Sequence, residues 1–367
     1  MDYPALNNRI YLNYGGQGVL CRQTLEAIHQ AFLQIEEQGC FSYANNEWFK
    51  VEIEKTKTAI ARELATTPDT IALTENTTVG CNIALWSINW QRGDRLLLSD
   101  GEHPGVIAIA EELHRRFGVE LDTFSVRDCA SDEEILANLR AILTPATKML
   151  CISHIIWNTG QIVPLQAITE ISHQQGVLVA VDGAQSVGVL PVNLPELDVD
   201  FYAFTAHKWW CAPLGVGALY VNPKIYGQVY GTYVGWRGLE GSDRGAKFEV
   251  ATSAYPLYMG LQTALATANA WGSQVQRYDR LTKLAQSLWQ ELHQIPKVAC
   301  LQRQPPQCGL VTFTVQGKTA SEVSRWLEME HRIHIRAMPE PKCLRVSIHY
   351  LTQEQDIAYL LSILQQL

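Results

Sequence analysis

Short apolar runs recur along the chain at Arg95–Ser99, Val119–Phe124, Met149–Ser153, Leu178–Val181, Phe201–Phe204 and Val216–Val221. Helical patterns separate several of them, at Pro104–Phe117, Asp132–Leu143 and Leu165–Gln175. Parallel neighbours in a sheet need a crossover of about this kind. The alternation therefore predicts an α/β fold, a mostly parallel sheet with helices on both faces. Ligands of such sheets sit beyond the carboxyl ends of the strands. Upstream, Leu25, Ile28, Phe32 and Ile35 mark one helix face, and Glu47–Leu64 a second helix before a turn at Thr67-Pro68-Asp69. After about residue 247 the order changes. A helix at Tyr258–Trp271 precedes a longer one with Leu281, Leu284, Leu288 and Leu292 on one face. A strand at Gly309–Val315, a helix from Ala320, a strand-like Leu344–His349 and a closing helix follow. This predicts a large domain over 14–247 and a smaller α+β domain from 1–13 and 248–367, with Gln302–Gln307 as a surface loop.

The 367 residues are enough for two such units. A hydrophobic share of 47% with 18% charged residues is that of a globular protein. The net charge of −8 and the lack of any basic run argue against a nucleic-acid partner. No apolar run reaches the roughly 20 residues that span a bilayer, so no membrane is expected. The N-terminal MDYPALNNRIYLN lacks a signal-peptide core. Nine cysteines are scattered, odd in number and never spaced Cys-x-x-Cys. That fits neither a disulfide framework nor a metal site, and it predicts free thiols in the cytoplasm.

Chemistry enters with Val181-Asp182-Gly183-Ala184-Gln185-Ser186, which follows a very apolar strand. An aspartate there is costly unless something pairs with it. A pyridinium N–H would serve, the carboxylate keeping a ring nitrogen protonated as part of an electron sink. Gln185 offers an amide to a ring hydroxyl. The bland alternative is a strand-ending turn with Asp182 as a helix cap. Thr205-Ala206-His207-Lys208-Trp209-Trp210 ends the next strand. Lys208 there can hold a carbonyl cofactor as a Schiff base and later move the substrate Cα proton. Thr205 and His207 offer phosphate donors. Alone, such a lysine is more often a surface residue. Asp182 and Lys208, however, lie 26 residues apart at the ends of successive strands.

Together with Gly215-Val216-Gly217-Ala218-Leu219-Tyr220, these motifs closely resemble the class V aminotransferase-like enzymes that include the cysteine desulfurases. The resemblance runs from Tyr11-Leu12-Asn13 nearly to the end. It implies fold-type I and pyridoxal 5′-phosphate (PLP) on Lys208, with Asp182 at the ring nitrogen. Thr74 to Gly80 resembles the phosphate cup, with Thr77 and Thr78 at a helix N-terminus. Glu102-His103-Pro104 resembles the motif whose histidine, here His103, stacks on the ring. Ser153-His154 through Asn158-Thr159-Gly160 resembles the motif in which Asn158 faces ring hydroxyl and substrate. Leu344-Arg345-Val346-Ser347 resembles the motif whose arginine, here Arg345, forks onto the substrate α-carboxylate, a task that suits Arg more than Lys.

The desulfurases carry a nucleophilic cysteine on a loop before that arginine. The stretch from His334 to Arg345 is short here, and its one thiol, Cys343, is read as structural. The chain is more similar to the cyanobacterial-type L-cysteine/L-cystine C–S lyases. It matches them at Asn13 to Gly18, Glu102 to Gly105, Trp157 to Gln161, Tyr233 to Arg237 and Phe248 to Pro256, and in the arginine pair Arg336 and Arg345. This implies β-elimination on a sulfur amino acid, giving pyruvate, ammonia and a persulfide or sulfide. A sulfur-acceptor protein and iron–sulfur cluster assembly are downstream options. It also implies a homodimer in which Gly235-Trp236-Arg237 reaches the partner's phosphate. A desulfurase or selenocysteine lyase is the alternative. An epimerase or aminotransferase of the same class, and a non-enzymatic scaffold, follow behind.

Overall fold

The structure is a computed structural model that describes residues 2–367 apart from Asp128, Arg237 and residues 239–243. From the N-terminus, β1 (Ile10–Tyr11) leads to α1 (Arg22–Gln38), α2 (Tyr43–Glu63), β2 (Ile71–Thr74), α3 (Thr77–Trp86) and β3 (Arg95–Ser99). Next come α4 (Pro104–Phe117), β4 (Glu120–Phe124), α5 (Asp132–Ile142), β5 (Thr147–Ser153) and α6 (Leu165–Gln174). Then β6 (Leu178–Asp182), α7 (Leu194–Leu197), β7 (Phe201–Thr205) and β8 (Gly217–Val221) complete a seven-stranded sheet of order β2-β8-β7-β6-β5-β3-β4.

The central strands are apolar throughout because they face a core on each side. Along β6, Val179 and Val181 enter one core and Ala180 the other. Helices α2, α5 and α6 cover the first face, and α3 and α4 the second. Strands β4, β3, β5, β6 and β7 are parallel, as the alternation predicts. Three features differ from the sequence reading. Strand β8 is antiparallel to both neighbours, because residues 206–216 carry no crossover helix. Strand β2, only four residues long, leaves too short a run to stand out. The expected face of α1 also differs. Thr24 and Ala31 are its buried residues, and Ile28 packs on Gly260, while Leu25 and Phe32 are exposed.

The remainder contains α8 (Tyr255–Trp271), α9 (Gln274–Leu292), β9 (Val298–Cys300), β10 (Leu310–Val315), α10 (Ala320–His331), β11 (Ile333–His334), β12 (Arg336–Met338), β13 (Cys343–Ser347) and α11 (Glu354–Leu364). An antiparallel sheet of order β12-β13-β10-β9 packs against helices through Val311, Phe313, Leu344 and Val346. Leu281, Leu284, Leu288 and Leu292 of α9 all enter that core, as their spacing predicts. Helix α8 instead joins the core of the large sheet through Tyr258, Leu261 and Leu265. We propose a large domain that takes in α8, so that the second crossing falls after Trp271 and not at residue 247. No described helix is long and apolar enough to cross a membrane.

Candidate active site

Asp182 is the last residue of β6, and Ser153 at the end of β5 is its partner across the sheet. His154 N–H donates to the Asp182 carbonyl at 2.8 Å, and Gly183 N–H to the Ala203 carbonyl at 2.7 Å. A Cβ on Gly183 would lie 2.2 Å from Tyr202 Cε1, so only glycine fits that turn. Asp182 is 7% exposed, and one of its oxygens accepts from Ala184 N–H at 3.0 Å. It has no ion pair among the described residues. A buried carboxylate in that state is stabilised by any further donor that reaches it.

Lys208 follows the end of β7. The N-terminal segment closes over its loop, with Gly18 N–H donating to the His207 carbonyl at 2.6 Å. A Cβ on Gly18 would lie 2.1 Å from the Lys208 carbonyl, so the close approach requires glycine. Loss of hydration pushes the Lys208 ammonium down to about 8. Asp182 opposes that shift, while Arg345 and Arg336 add to it, so these four groups share one electrostatic neighbourhood. His103 belongs there too. Desolvation holds its imidazole below the ordinary range, Asp182 opposes, and Lys208, Arg336 and Arg345 lower it further. As the N-cap of α4, His103 accepts from Gly105 N–H through Nδ1 at 3.1 Å. Its ring lies edge-on to Trp157, centroids 5.0 Å apart. Pro104 at the first helical position keeps the cap geometry.

The α3 N-terminus stands beside these groups. The helix packs closely enough that a Cβ on Gly217 of β8 would lie 2.9 Å from Asn76 Cα. The Asn76 side chain caps Val79 N–H at 3.1 Å. Thr77 Oγ1 is buried without a partner. Thr78 Oγ1 would lie 3.4 Å from a Cβ on Gly105, beside His103. Thr205 Oγ1 and His207 Nδ1 hydrogen-bond to each other at 2.5 Å. Burial and Lys208 push His207 down to about 4. Gln185 is held at both ends, donating to the Gly15 carbonyl and accepting from Trp209 Nε1, each at 2.9 Å. One hydrogen of its amide nitrogen remains for a ligand.

Arg345 emerges from the small sheet. It is the cross-strand partner of Arg336 on one side and Thr312 on the other, so the three side chains share a face. Arg345 is 0% exposed, and Nη1 donates to the Trp157 carbonyl at 2.6 Å. Nε and Nη2, one edge of the guanidinium fork, are buried without partners. Desolvation and then Arg336 push its pKa down to about 9. Arg336 is exposed. Asn158 donates to the Glu340 carbonyl at 2.8 Å and leaves Oδ1 buried and unpartnered. This donor set fits PLP and an amino-acid carboxylate. It offers an unpaired carboxylate for a ring nitrogen, an amine of lowered pKa, a free hydroxyl at a helix N-terminus and an empty bidentate fork.

Gly235 and Trp236 are not gathered with these groups. The segment before them is tied to the C-terminal half of α3, Thr232 Oγ1 donating to the Ile83 carbonyl and Tyr230 N–H to the Ser87 carbonyl. Trp236 is exposed, and Arg237 lies outside the described residues. Sequence reasoning passed over Glu102 as a buried acid and the Trp157 carbonyl on Arg345. It also passed over the unpartnered Asn13 Oδ1, Thr312 Oγ1 and Ser347 Oγ. Asn13 and Ser347 stood inside quoted motifs, whereas Thr312 left no signal. All nine cysteines are free, and no described cluster of His, Cys, Asp and Glu could hold a metal.

Known proteins resemble this arrangement over most of the chain. A structure titled as the cystine C–S lyase C-DES in complex with its reaction product, cysteine persulfide, is 41% identical. The match covers 99% of both chains with a TM-score of 0.95. A lysine-to-alanine variant of C-DES has glycine covalently linked to the PLP cofactor. Isopenicillin N epimerase of Streptomyces clavuligerus is 30% identical over 83% of this chain and 81% of its own. A probable cysteine desulfurase of Methanothermobacter thermautotrophicus is 24% identical over 100% of this chain and 96% of its own. The sequence profile described as aminotransferase class-V matches residues 10–360, which takes in every group of the site, and the chain belongs to that family.

Proposed function

We propose that this chain is a PLP-dependent C–S lyase that performs β-elimination on L-cystine or L-cysteine. The products are pyruvate, ammonia and a persulfide or sulfide. The observation that carries the reading is the β12–β13 hairpin. Only residues 339–342 separate its strands, and Cys343 is buried within β13 opposite Met338. Burial pushes that thiol up to about 11, so it stays protonated and has no loop to carry it to a substrate. A reaction that needs no sulfur-accepting cysteine suits such a site. The likeness to C-DES supports the same reading.

PLP, when bound, supplies the electron sink. Asp182 would hold a proton at the ring nitrogen, and His103 would cover the ring. Thr77, Thr78, Thr205 and His207 would hold the phosphate, and Gln185 and Asn158 would meet the ring hydroxyl. The open edge of Arg345, helped by Arg336, grips the α-carboxylate and so orients the Cα–H bond. Lys208, as a neutral amine, takes the Cα proton. The Cβ–S bond breaks with its electron pair leaving on sulfur. From cystine the leaving group is cysteine persulfide, a weaker base than an alkyl thiolate and easier to expel. The three-carbon remainder hydrolyses to pyruvate and ammonia.

Relatives named as cysteine desulfurases favour a second reading, which yields alanine and an enzyme-bound persulfide. A product assay separates the two. Pyruvate from cystine, undiminished within about twofold in Cys343→Ala, is expected, because a buried protonated thiol lends nothing to the step. Alanine with a persulfide on the protein would overturn the lyase reading. The exposed Leu25, Phe32, Phe41 and Tyr43, together with Trp236, suit a homodimer whose partner adds Gly235 and Trp236 to the phosphate site. Nine free thiols suit the cytoplasm, and a sulfur-acceptor protein would take the persulfide onward.

A further inference from the structure

Glu102 is a buried carboxylate that the mechanism above leaves without a task. It is 7% exposed and makes no ion pair among the described residues. Three donors converge on it. Ser99 Oγ at the end of β3 donates to Oε1, Ser153 N–H at the end of β5 donates to Oε1 at 3.0 Å, and Ser153 Oγ donates to Oε2 at 2.7 Å. Its side chain thus bolts the carboxyl ends of β3 and β5 together. His103 is the next residue, and Ser153 is the cross-strand partner of Asp182. Burying a charge there is costly, and a serine clamp alone would not need one.

The charged and titratable groups around Glu102 are few. Cys81 of α3 and Cys151 of β5 feel it, but burial keeps both thiols protonated. Asp182 of β6 feels it as a second carboxylate. Burial pushes Glu102 up to about 7, the three hydrogen bonds opposing and Asp182 adding to the rise. Its hydrogen bonds end on Ser99 and Ser153, neither of which has a part in the mechanism above.

We propose that Glu102 is a positioning residue, which fixes His103 against the cofactor ring and sets a second negative charge behind Asp182 that favours the protonated cofactor. The inference rests on the reading of the site as a PLP site. Its test is the pH midpoint of the visible absorbance of the PLP-loaded full chain. Glu102→Gln keeps the shape and removes the charge. The midpoint is expected to fall by about one unit, the scale on which one neighbouring charge shifts a buried titrating group. Ser153→Ala, which makes the Glu102 carboxylate harder to ionise, is expected to move it the same way by less. It also covers the case in which Glu102→Gln fails to fold. A purely structural clamp would change the melting temperature and leave the midpoint alone, and that result overturns the inference. A wild-type chain that takes up no PLP defeats the functional reading itself and this inference with it. A yellow wild type whose variants keep its midpoint defeats only the role of Glu102.

Discussion

Lys208→Ala is expected to reduce pyruvate formation from L-cystine by roughly 10⁴-fold and to remove the yellow absorbance that the lysine gives with PLP. The size follows from two lost tasks, the covalent hold on the cofactor and the removal of the Cα proton. Among the described residues, the charged neighbours of Lys208 are Asp182, Arg345 and Arg336, and none is an amine. Arg336 and Arg345 are guanidinium groups, and His103 is fixed as a helix cap through Nδ1. The structure adds a pH signature. Desolvation brings the amine down from 10.5 to about 8, with Asp182 opposing. Neutral amine therefore accumulates as pH rises through 8, and PLP uptake by the cofactor-free chain is expected to quicken over that window. Stopped-flow absorbance would measure it. A rate that rises only near pH 10 would refute the buried setting of the lysine, and a Lys208→Ala protein that still turns over cystine would refute its role.

The second large effect is at Arg345. Replacing it with alanine or methionine is expected to lower kcat/KM for cystine by about 10²- to 10³-fold, the usual cost of losing one side of a buried charge pair. Lysine is expected to recover little, since it cannot present two parallel donors. The same substitution should have an opposite effect on the ligand-free protein. Arg345 is buried with Nε and Nη2 unpartnered and with Arg336 as a like-charged cross-strand neighbour. Its burial is therefore costly until a carboxylate arrives. Arg345→Met is expected to leave the melting temperature unchanged or raise it, because an apolar replacement for an unpaired buried ion is often neutral or stabilising. Thermal denaturation of the cofactor-free protein would check this. A sharp drop in melting temperature with catalysis retained would show that Arg345 serves the fold and not the substrate.

Asp182, Lys208 and Arg345 illustrate how far local sequence reaches. Asp182 ends β6, Lys208 lies just beyond β7 and Arg345 sits within β13, and a strand's side chains and its exit are local properties. Their motifs were legible, and so was the parallel part of the sheet. The antiparallel return of β8 was not, because strand direction depends on the link and the partner, not on the run itself. The exposed face of α1 misled for a related reason. Its periodicity is real, yet Gly260 admits Ile28 at close range, and Leu25 and Phe32 remain outside within a single chain.

The chain of residues alone determined the family, the motifs that carry Asp182 and Lys208, and the absence of a long cysteine-bearing loop before Arg345. These depend on identity and spacing along the backbone. Only the tertiary structure decided the state of the groups. The register of β12, β13 and β10 set Arg336, Arg345 and Thr312 in one row and left one edge of a guanidinium open. The junction of β3 and β5 enclosed Glu102 with two serines. Burial and the field of neighbouring charges are sums over residues distant in sequence. For that reason the lysine named by its motif becomes an amine of pKa about 8 only once the fold has closed around it.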